Sequence, residues 1–304
     1  CAVVGNFDDA QTGVKTIFGN KALAEALSGR GWFLSSANSI NWGRLLPQIV
    51  YYFSAYCDFV NAGRIKIGDK LNFSVPTGNF GDILAGWYAK QMGLPVGRFI
   101  CASNANNVLT EFITTGVYDR NRPFYTTVSP SMDILVSSNL ERLLFSATGS
   151  DEEVAGYMKS LKDTGKYEVA ERVRDRIQEE FFAGFCSDAE TLAEIGQVWD
   201  ERRYLMDTHT AVGYKVLRDY RAATGDETPA AVVSTASPYK FCDSVLKALG
   251  EDTDAPGTEL IGKLEQKTGV PAPAPLRGLG GKSVRFRDYV EKDRMQRVVE
   301  DFVK

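Results

Sequence analysis

Apolar residues along the chain recur at two alternating spacings, a strand-like one of about two and a helical one of three to four. Between residues 39 and 61, Leu45, Leu46, Ile49, Val50, Phe53, Tyr56, Cys57 and Val60 share one face of a predicted helix. Leu71, Phe73 and Val75 alternate as a strand, after which Pro76-Thr77-Gly78 turns the chain. Asp82 to Met92 reads as a helix with Ile83, Leu84 and Trp87 inward, and 98–102 as the next strand. A further helix carries Val108, Leu109, Phe112 and Ile113 and stops at Gly116. Strand, helix, strand, helix in this order predicts parallel strands with covering helices.

From 150 to 204 the pattern is one of helices only, with stripes at Val154, Tyr157, Met158 and Leu161, then Val169, Val173, Ile177 and Phe181, then Leu192, Ile195 and Trp199. Their intervening Lys, Arg, Glu and Asp are those of wet helix faces. Alternation then returns as a helix over 210–220, a strand at 231–233 and a helix over 239–249. Residues 270–282, with Pro271, Pro273, Pro275, Gly278, Gly280 and Gly281, read as a loop. A last amphipathic helix presents Tyr289, Met295, Val298, Val299 and Phe302. The expected organisation is a remnant of a smaller domain over 1–35, an α/β unit over 36–149, a helical insertion over 150–204, and a return to α/β over 205–304.

Composition narrows the function classes. A 304-residue chain with 44% hydrophobic and 24% charged residues reads as a globular protein with a large core. A formal charge of −4 offers no basic footprint for nucleic acid or for a membrane surface, and no apolar run is long enough to span a bilayer. A cytoplasmic location is expected. Five scattered cysteines and a lone histidine, His209, argue against a metal centre and against a disulfide framework. The chain opens at Cys1 on an apolar, strand-like run, which reads as a start in the middle of a domain.

The strongest chemical signal is Ser74-Val75-Pro76-Thr77-Gly78-Asn79-Phe80-Gly81-Asp82, where a strand end meets a helix start. Two glycines let successive N–H groups converge on an anion, aided by the positive end of the helix dipole. A phosphate suits that place; a tight turn with Asp82 as a cap is the plainer alternative on spacing alone. The GxxG spacing does not make a dinucleotide fingerprint. Arg277 to Ser283 imitates a P-loop, but the first glycine of that motif would fall on Leu276 and no strand precedes it.

Several blocks in order resemble the long-form threonine synthases. They are Ser36 to Gln48 (SANSINWGRLLPQ), Gly5 to Gln11 with Ala10 in place of the usual cysteine, and Pro76 to Asp82 (PTGNFGD). Asn104 to Leu109, Ser129 to Ile134, Ser138 to Arg142, Asp207 to Gly213 with Thr208 in place of proline, and Ser234 to Phe241 with Ser237 in place of histidine complete the set. The resemblance implies the α/β architecture of fold-type II pyridoxal-phosphate enzymes, like the tryptophan synthase β chain. It implies conversion of O-phospho-L-homoserine and water to threonine and phosphate, by a monomer or homodimer.

Site roles follow from the same resemblance. Gly78, Asn79, Phe80, Gly81 and Asp82 are expected around the phosphate of pyridoxal 5'-phosphate, and Thr235 is expected to offer its hydroxyl to the ring nitrogen. By spacing alone Thr235 would be a helix cap. Asn38, Ser39, Asn41 and Arg44 are expected to help bind substrate, Arg44 through its phosphate, with capping and solvation as the plainer reading. His209 and Asp207 are possible accessory groups, though a histidine at a helix start is more often structural. No stretch resembles the family's PTLAFKD segment, which bears the Schiff-base lysine, so this polypeptide alone is expected not to turn over. The alternatives are a fragment or degenerate relative that binds phosphate or pyridoxal phosphate without catalysis, and a structural protein in which GNFG is only a turn.

Overall fold

The structure, a computed structural model, describes residues 1–5 and 7–304 of the chain. Asn6 of the Gly5 to Gln11 block, and the side chains of Phe7, Asp8 and Gln11, lie outside what is described. Eight strands occur among the described residues: β1 (Ala2–Val4), β2 (Leu71–Pro76), β3 (Val96–Ser103), β4 (Val117–Asp119), β5 (Lys166–Glu168), β6 (Phe181–Phe185), β7 (Ala230–Val232) and β8 (Tyr289–Glu291). The first helices are α1 (Phe7–Gly19), α2 (Lys21–Ser28), α3 (Trp42–Leu45), α4 (Ile49–Asn61), α5 (Gly81–Gln91) and α6 (Val108–Thr115). Then come α7 (Leu140–Thr148), α8 (Asp151–Thr164), α9 (Glu171–Glu180), α10 (Asp188–Arg202) and α11 (Thr208–Thr224). Last are α12 (Cys242–Ala248), α13 (Gly257–Thr268), α14 (Ala274–Arg277) and α15 (Met295–Phe302).

The central sheet has the order β6-β3-β2-β7, and all its pairings are parallel. Side chains alternate between its faces as pleating requires. Leu71, Phe73, Val75, Phe99 and Cys101 join the large core with α4, α5, α6, α7 and α9. Ile100 and Ala102 point the other way, onto Val212, Val216, Leu217 and Tyr220 of α11. Helices thus cover both faces, which is why β2 is buried along its whole length. Two close approaches need glycine. A Cβ on Gly86 of α5 would sit 2.4 Å from the ring of Tyr52, and one on Gly213 of α11 would meet Pro76 at 3.2 Å.

Four expectations from the periodicity are corrected. The helix read over 39–61 breaks into α3, a 3-10 turn at Leu46–Gln48 and α4, and its buried face is Leu45, Ile49, Tyr52 and Tyr56. Leu46, Val50 and Cys57 are exposed, because the turn at Pro47 resets the helical phase. The stretch 150–204 is not helices only: it carries β5 and also β6, whose Phe181 pairs with Phe99 as an edge of the main sheet. Phe181 reads as the end of a helical stripe because strand and helix share that buried residue. Tyr289 belongs to β8, paired with β1, and not to the last helix. The loop of 270–282 contains the short α14, and α13 before it lies where no element was read.

No helix among the described residues is long and apolar enough to cross a membrane.

Candidate active site

The site forms where β2 and β7 end side by side. Ser74 pairs with Val232, and the N–H of Val233 donates to the carbonyl of Ser74 at 2.9 Å. Both strands then leave the sheet at the same level, so the turn after Pro76 and the segment Val233–Thr235 face one space. Parallel α/β sheets place ligands beyond the carboxyl ends of their strands for this reason. A cavity of about 540 Å³ opens there. Gly78, Asn79, Asp82, Asn38, Ser39, Arg44, His209 and Thr235 all line it. Gly78 and Thr235, 157 residues apart by their numbers, share that one cavity.

The turn after β2 is set by where its carbonyls go. Gly78 O accepts the hydroxyl of Ser137 at 2.8 Å, and Asn79 O accepts both the main-chain N–H and the side-chain amide of Asn139, at 3.1 and 3.0 Å. With these oxygens tied back to the 137–139 turn, the N–H groups of Gly78, Asn79 and Phe80 are left without a hydrogen-bond partner among the described residues. Three consecutive unpaired donors at the start of α5 are an anion-binding arrangement. Phe80 contributes through its backbone: its φ of 63° is left-handed, and its ring is fully buried against Phe181 at 5.7 Å. A Cβ on Gly78 would lie 3.0 Å from Ser131 O and 3.1 Å from Met132 Cα. One on Gly81 would meet the Ser39 hydroxyl at 2.4 Å.

Asn38 to Arg44 form the opposite wall, and their polar atoms are unequally free. Ser39 Oγ accepts from Asn139 Nδ2 at 3.0 Å, so it ties this wall to the turn. Arg142 of α7 adds to the tie, donating to the carbonyls of Ser39 (3.2 Å) and Ile40 (2.8 Å). Asn41 does not line the cavity: its oxygen caps Gly43 N at 3.0 Å and its amide donates to Ser36 O at 3.1 Å, which is the capping arrangement. Arg44 differs. Its Nε donates to Ala37 O at 3.2 Å, while its two Nη groups carry no hydrogen bond and form no ion pair among the described residues.

His209 is buried behind Ser131. Its Nε2 accepts the Ser131 N–H at 3.2 Å, which puts the ring proton on Nδ1, 3.1 Å from Asp207 Oδ1. Both nitrogens are therefore engaged in holding the Ser131–Met132 wall against Gly78. Asp207 caps α11 and lies outside the cavity. Burial alone would raise its pKa, but hydrogen bonds from His209 and Thr210 hold it below the ordinary carboxylate range. Thr208 occupies the first helical position, where proline is favoured and other residues are tolerated. Thr235 is not a helix cap; Ser237 has that task, accepting from Tyr239 N at 3.3 Å.

Residues 210–302 match the family model described as threonine synthase, C-terminal. The chain is 35% identical to the threonine synthase of Eremothecium gossypii over 319 aligned residues, covering 99% of this chain and 58% of that protein. It is 45% identical over 251 residues to human threonine synthase-like 1, covering 81% of this chain and 33% of that one. A solved threonine synthase with bound PLP, from Brucella melitensis, superposes with a TM-score of 0.79 at 38% identity, over 99% of this chain and 58% of that one. The chain belongs to the threonine synthase family. It spans between a third and three-fifths of the length of these relatives.

Within the threonine synthase fold, five of the family blocks read from the sequence, those at 36–48, 76–82, 129–134, 207–213 and 234–241, contribute lining residues to this one cavity. The signal missed was Asn139 with Arg142. Their block matches the family, yet only the fold shows that it knots the two walls together.

Proposed function

We propose that this chain supplies the cofactor-phosphate cradle and the substrate-facing wall of a threonine synthase, which converts O-phospho-L-homoserine and water to L-threonine and phosphate. The observation that carries this reading is the row of unpaired N–H groups at Gly78, Asn79 and Phe80, of which Gly78 and Asn79 line a cavity that Arg44 and Thr235 also line.

The residues present fit pyridoxal 5'-phosphate. Three consecutive unpaired amides at a helix start suit a phosphate ester. Glycine at 78 leaves room where a Cβ would press on Ser131 and Met132. Thr235 stands across the cavity with a neutral hydroxyl, suited to a pyridine nitrogen that is not forced to be protonated. Bound there, the cofactor would supply the electron sink for charge developing on the substrate's carbon skeleton. Arg44 offers two free Nη groups in a fork suited to the substrate's own phosphate. His209 holds the wall and moves no proton, because both its nitrogens are engaged.

No lysine among the described residues lines the cavity. On this reading the reactive amine is supplied by a group other than those lining the cavity, as the resemblance to the family's lysine-bearing segment implies. The 45% identity to human threonine synthase-like 1 over 81% of this chain favours a second reading, a non-catalytic phosphate-binding relative. The two separate in one experiment. The chain is mixed with the lysine-bearing portion of its parent protein, and threonine release from O-phospho-L-homoserine is assayed beside pyridoxal phosphate binding. Binding with turnover supports the synthase, binding without turnover supports the second reading, and failure to bind removes both.

A further inference from the structure

The cradle contains a contradiction. Asp82, in the first turn of α5, lines the same cavity as Gly78 and Asn79, so a phosphate dianion held there would face a carboxylate. Like charges within one cavity repel unless one of them is neutralised. The neighbourhood of Asp82 indicates which one yields. Tyr52 of α4 is almost wholly buried, and its hydroxyl lies 3.1 Å from Asp82 Oδ1 and 2.8 Å from the Asp82 carbonyl. Asp82 Oδ2 carries no hydrogen bond among the described residues. Burial pushes the Asp82 carboxyl up to about 6, against the lowering effect of the Tyr52 hydrogen bond. The remaining ionisable groups around the cavity are Arg44 from α3, Tyr51 from α4 and His209 from α11. None forms an ion pair with Asp82.

We propose that Asp82 meets a bound phosphate as the neutral acid, with its proton on Oδ2 donated to a phosphate oxygen, so that the cradle takes up one proton from solvent with each dianion. This rests on the reading of the Gly78–Phe80 turn as a phosphate site. An acid at this position then acts as a selective donor. It accepts a phosphoryl group that can receive a hydrogen bond and rejects anions whenever it is itself ionised.

The sign of the linkage follows. In the free protein Asp82 ionises through about 6, and the ligand raises that value. Between the two values binding takes up a proton, so affinity falls with rising pH by roughly tenfold per unit. The phosphate monoester's own second ionisation, near ~6, is complete by pH 8 and adds nothing there.

The test is calorimetric titration of the chain with pyridoxine 5'-phosphate, which lacks the aldehyde and so does not modify surface lysines. At pH 8, heats in two buffers of different ionisation enthalpy give the number of protons taken up. The wild-type chain is expected to take up about one proton more than Asp82→Asn, and to weaken roughly tenfold per pH unit where Asp82→Asn stays flat. Tyr52→Phe keeps the acid and removes the hydrogen bond that lowers it, so it should retain the uptake and shift the weakening to higher pH. A difference infrared spectrum should gain a protonated-carboxyl band on binding in wild type and not in Asp82→Asn. Equal proton uptake by wild type and Asp82→Asn, with both binding, overturns the role of Asp82 and leaves the cradle standing. Absence of binding by all three proteins overturns the cradle and the proposal together.

Discussion

The side-chain amide of Asn139 donates to the hydroxyl of Ser39 at 3.0 Å, across 100 residues of sequence, and the same amide donates to the carbonyl of Asn79 at 3.0 Å. One buried asparagine thus joins the turn after β2 to the facing wall, while Arg142 secures that wall by its main-chain carbonyls. Asn139→Ala removes donors from a fully buried place. It should cost about 1–3 kcal/mol in unfolding free energy. It should also weaken pyridoxal phosphate binding, because Asn79 O loses one of the groups that aim its peptide. Denaturant titration and equilibrium binding on the same preparation read both effects.

Gly78→Ala is the sharper steric test. Its Cβ would press on backbone atoms of Ser131 and Met132, at 3.0 and 3.1 Å, which do not swing aside as a side chain would. Pyridoxal phosphate affinity should fall by roughly tenfold or more, about 1.4 kcal/mol. Gly156→Ala, in the middle of α8 with nothing within 4 Å of the new Cβ, should leave binding untouched and stabilise by about 0.5–1 kcal/mol.

Arg44 separates substrate from cofactor. Arg44→Ala should leave pyridoxal phosphate affinity and stability within about 0.5 kcal/mol of wild type, since its one hydrogen bond is to an exposed carbonyl. Affinity for O-phospho-L-homoserine should drop by roughly tenfold or more, in keeping with a lost charge-assisted pair. Unchanged substrate affinity assigns Arg44 to the surface.

Asp207 and His209 predict an acid response. Hydrogen bonds from His209 and Thr210 hold Asp207 below its ordinary value, so its stabilisation is complete above ~4 and is lost as pH falls through the folded-state value. Asp207→Asn should destabilise the chain at neutral pH and flatten this part of its acid unfolding curve. His209→Ala should loosen the Ser131 wall and lower stability. The pH dependence of any reconstituted turnover should keep its shape if His209 serves to position the Ser131 wall.

Much of this architecture is legible in the residues, and the failures have physical causes. The strand at 71–76 and the turn after it are readable because alternating apolar residues end on Pro-Thr-Gly-Asn. The convergence of Gly78 with Thr235 is not readable from spacing. It depends on the register of β2 against β7, which only the packed sheet fixes. The strand Phe181–Phe185 escapes because it is a short edge strand that follows α9 without a turn residue. Asn41 and Phe80 illustrate a limit of motif reading. Both belong to blocks that match the family, yet one is a cap and the other is a core ring, and neither side chain lines the cavity.

The measurement that bears most directly on the cradle is amide NMR of the chain during titration with pyridoxine 5'-phosphate. Saturable movement of the Gly78, Asn79 and Phe80 N–H resonances, in the sense of new hydrogen bonds to an anion, is the predicted result. Resonances of those three amides that stay in place while other regions respond would contradict it.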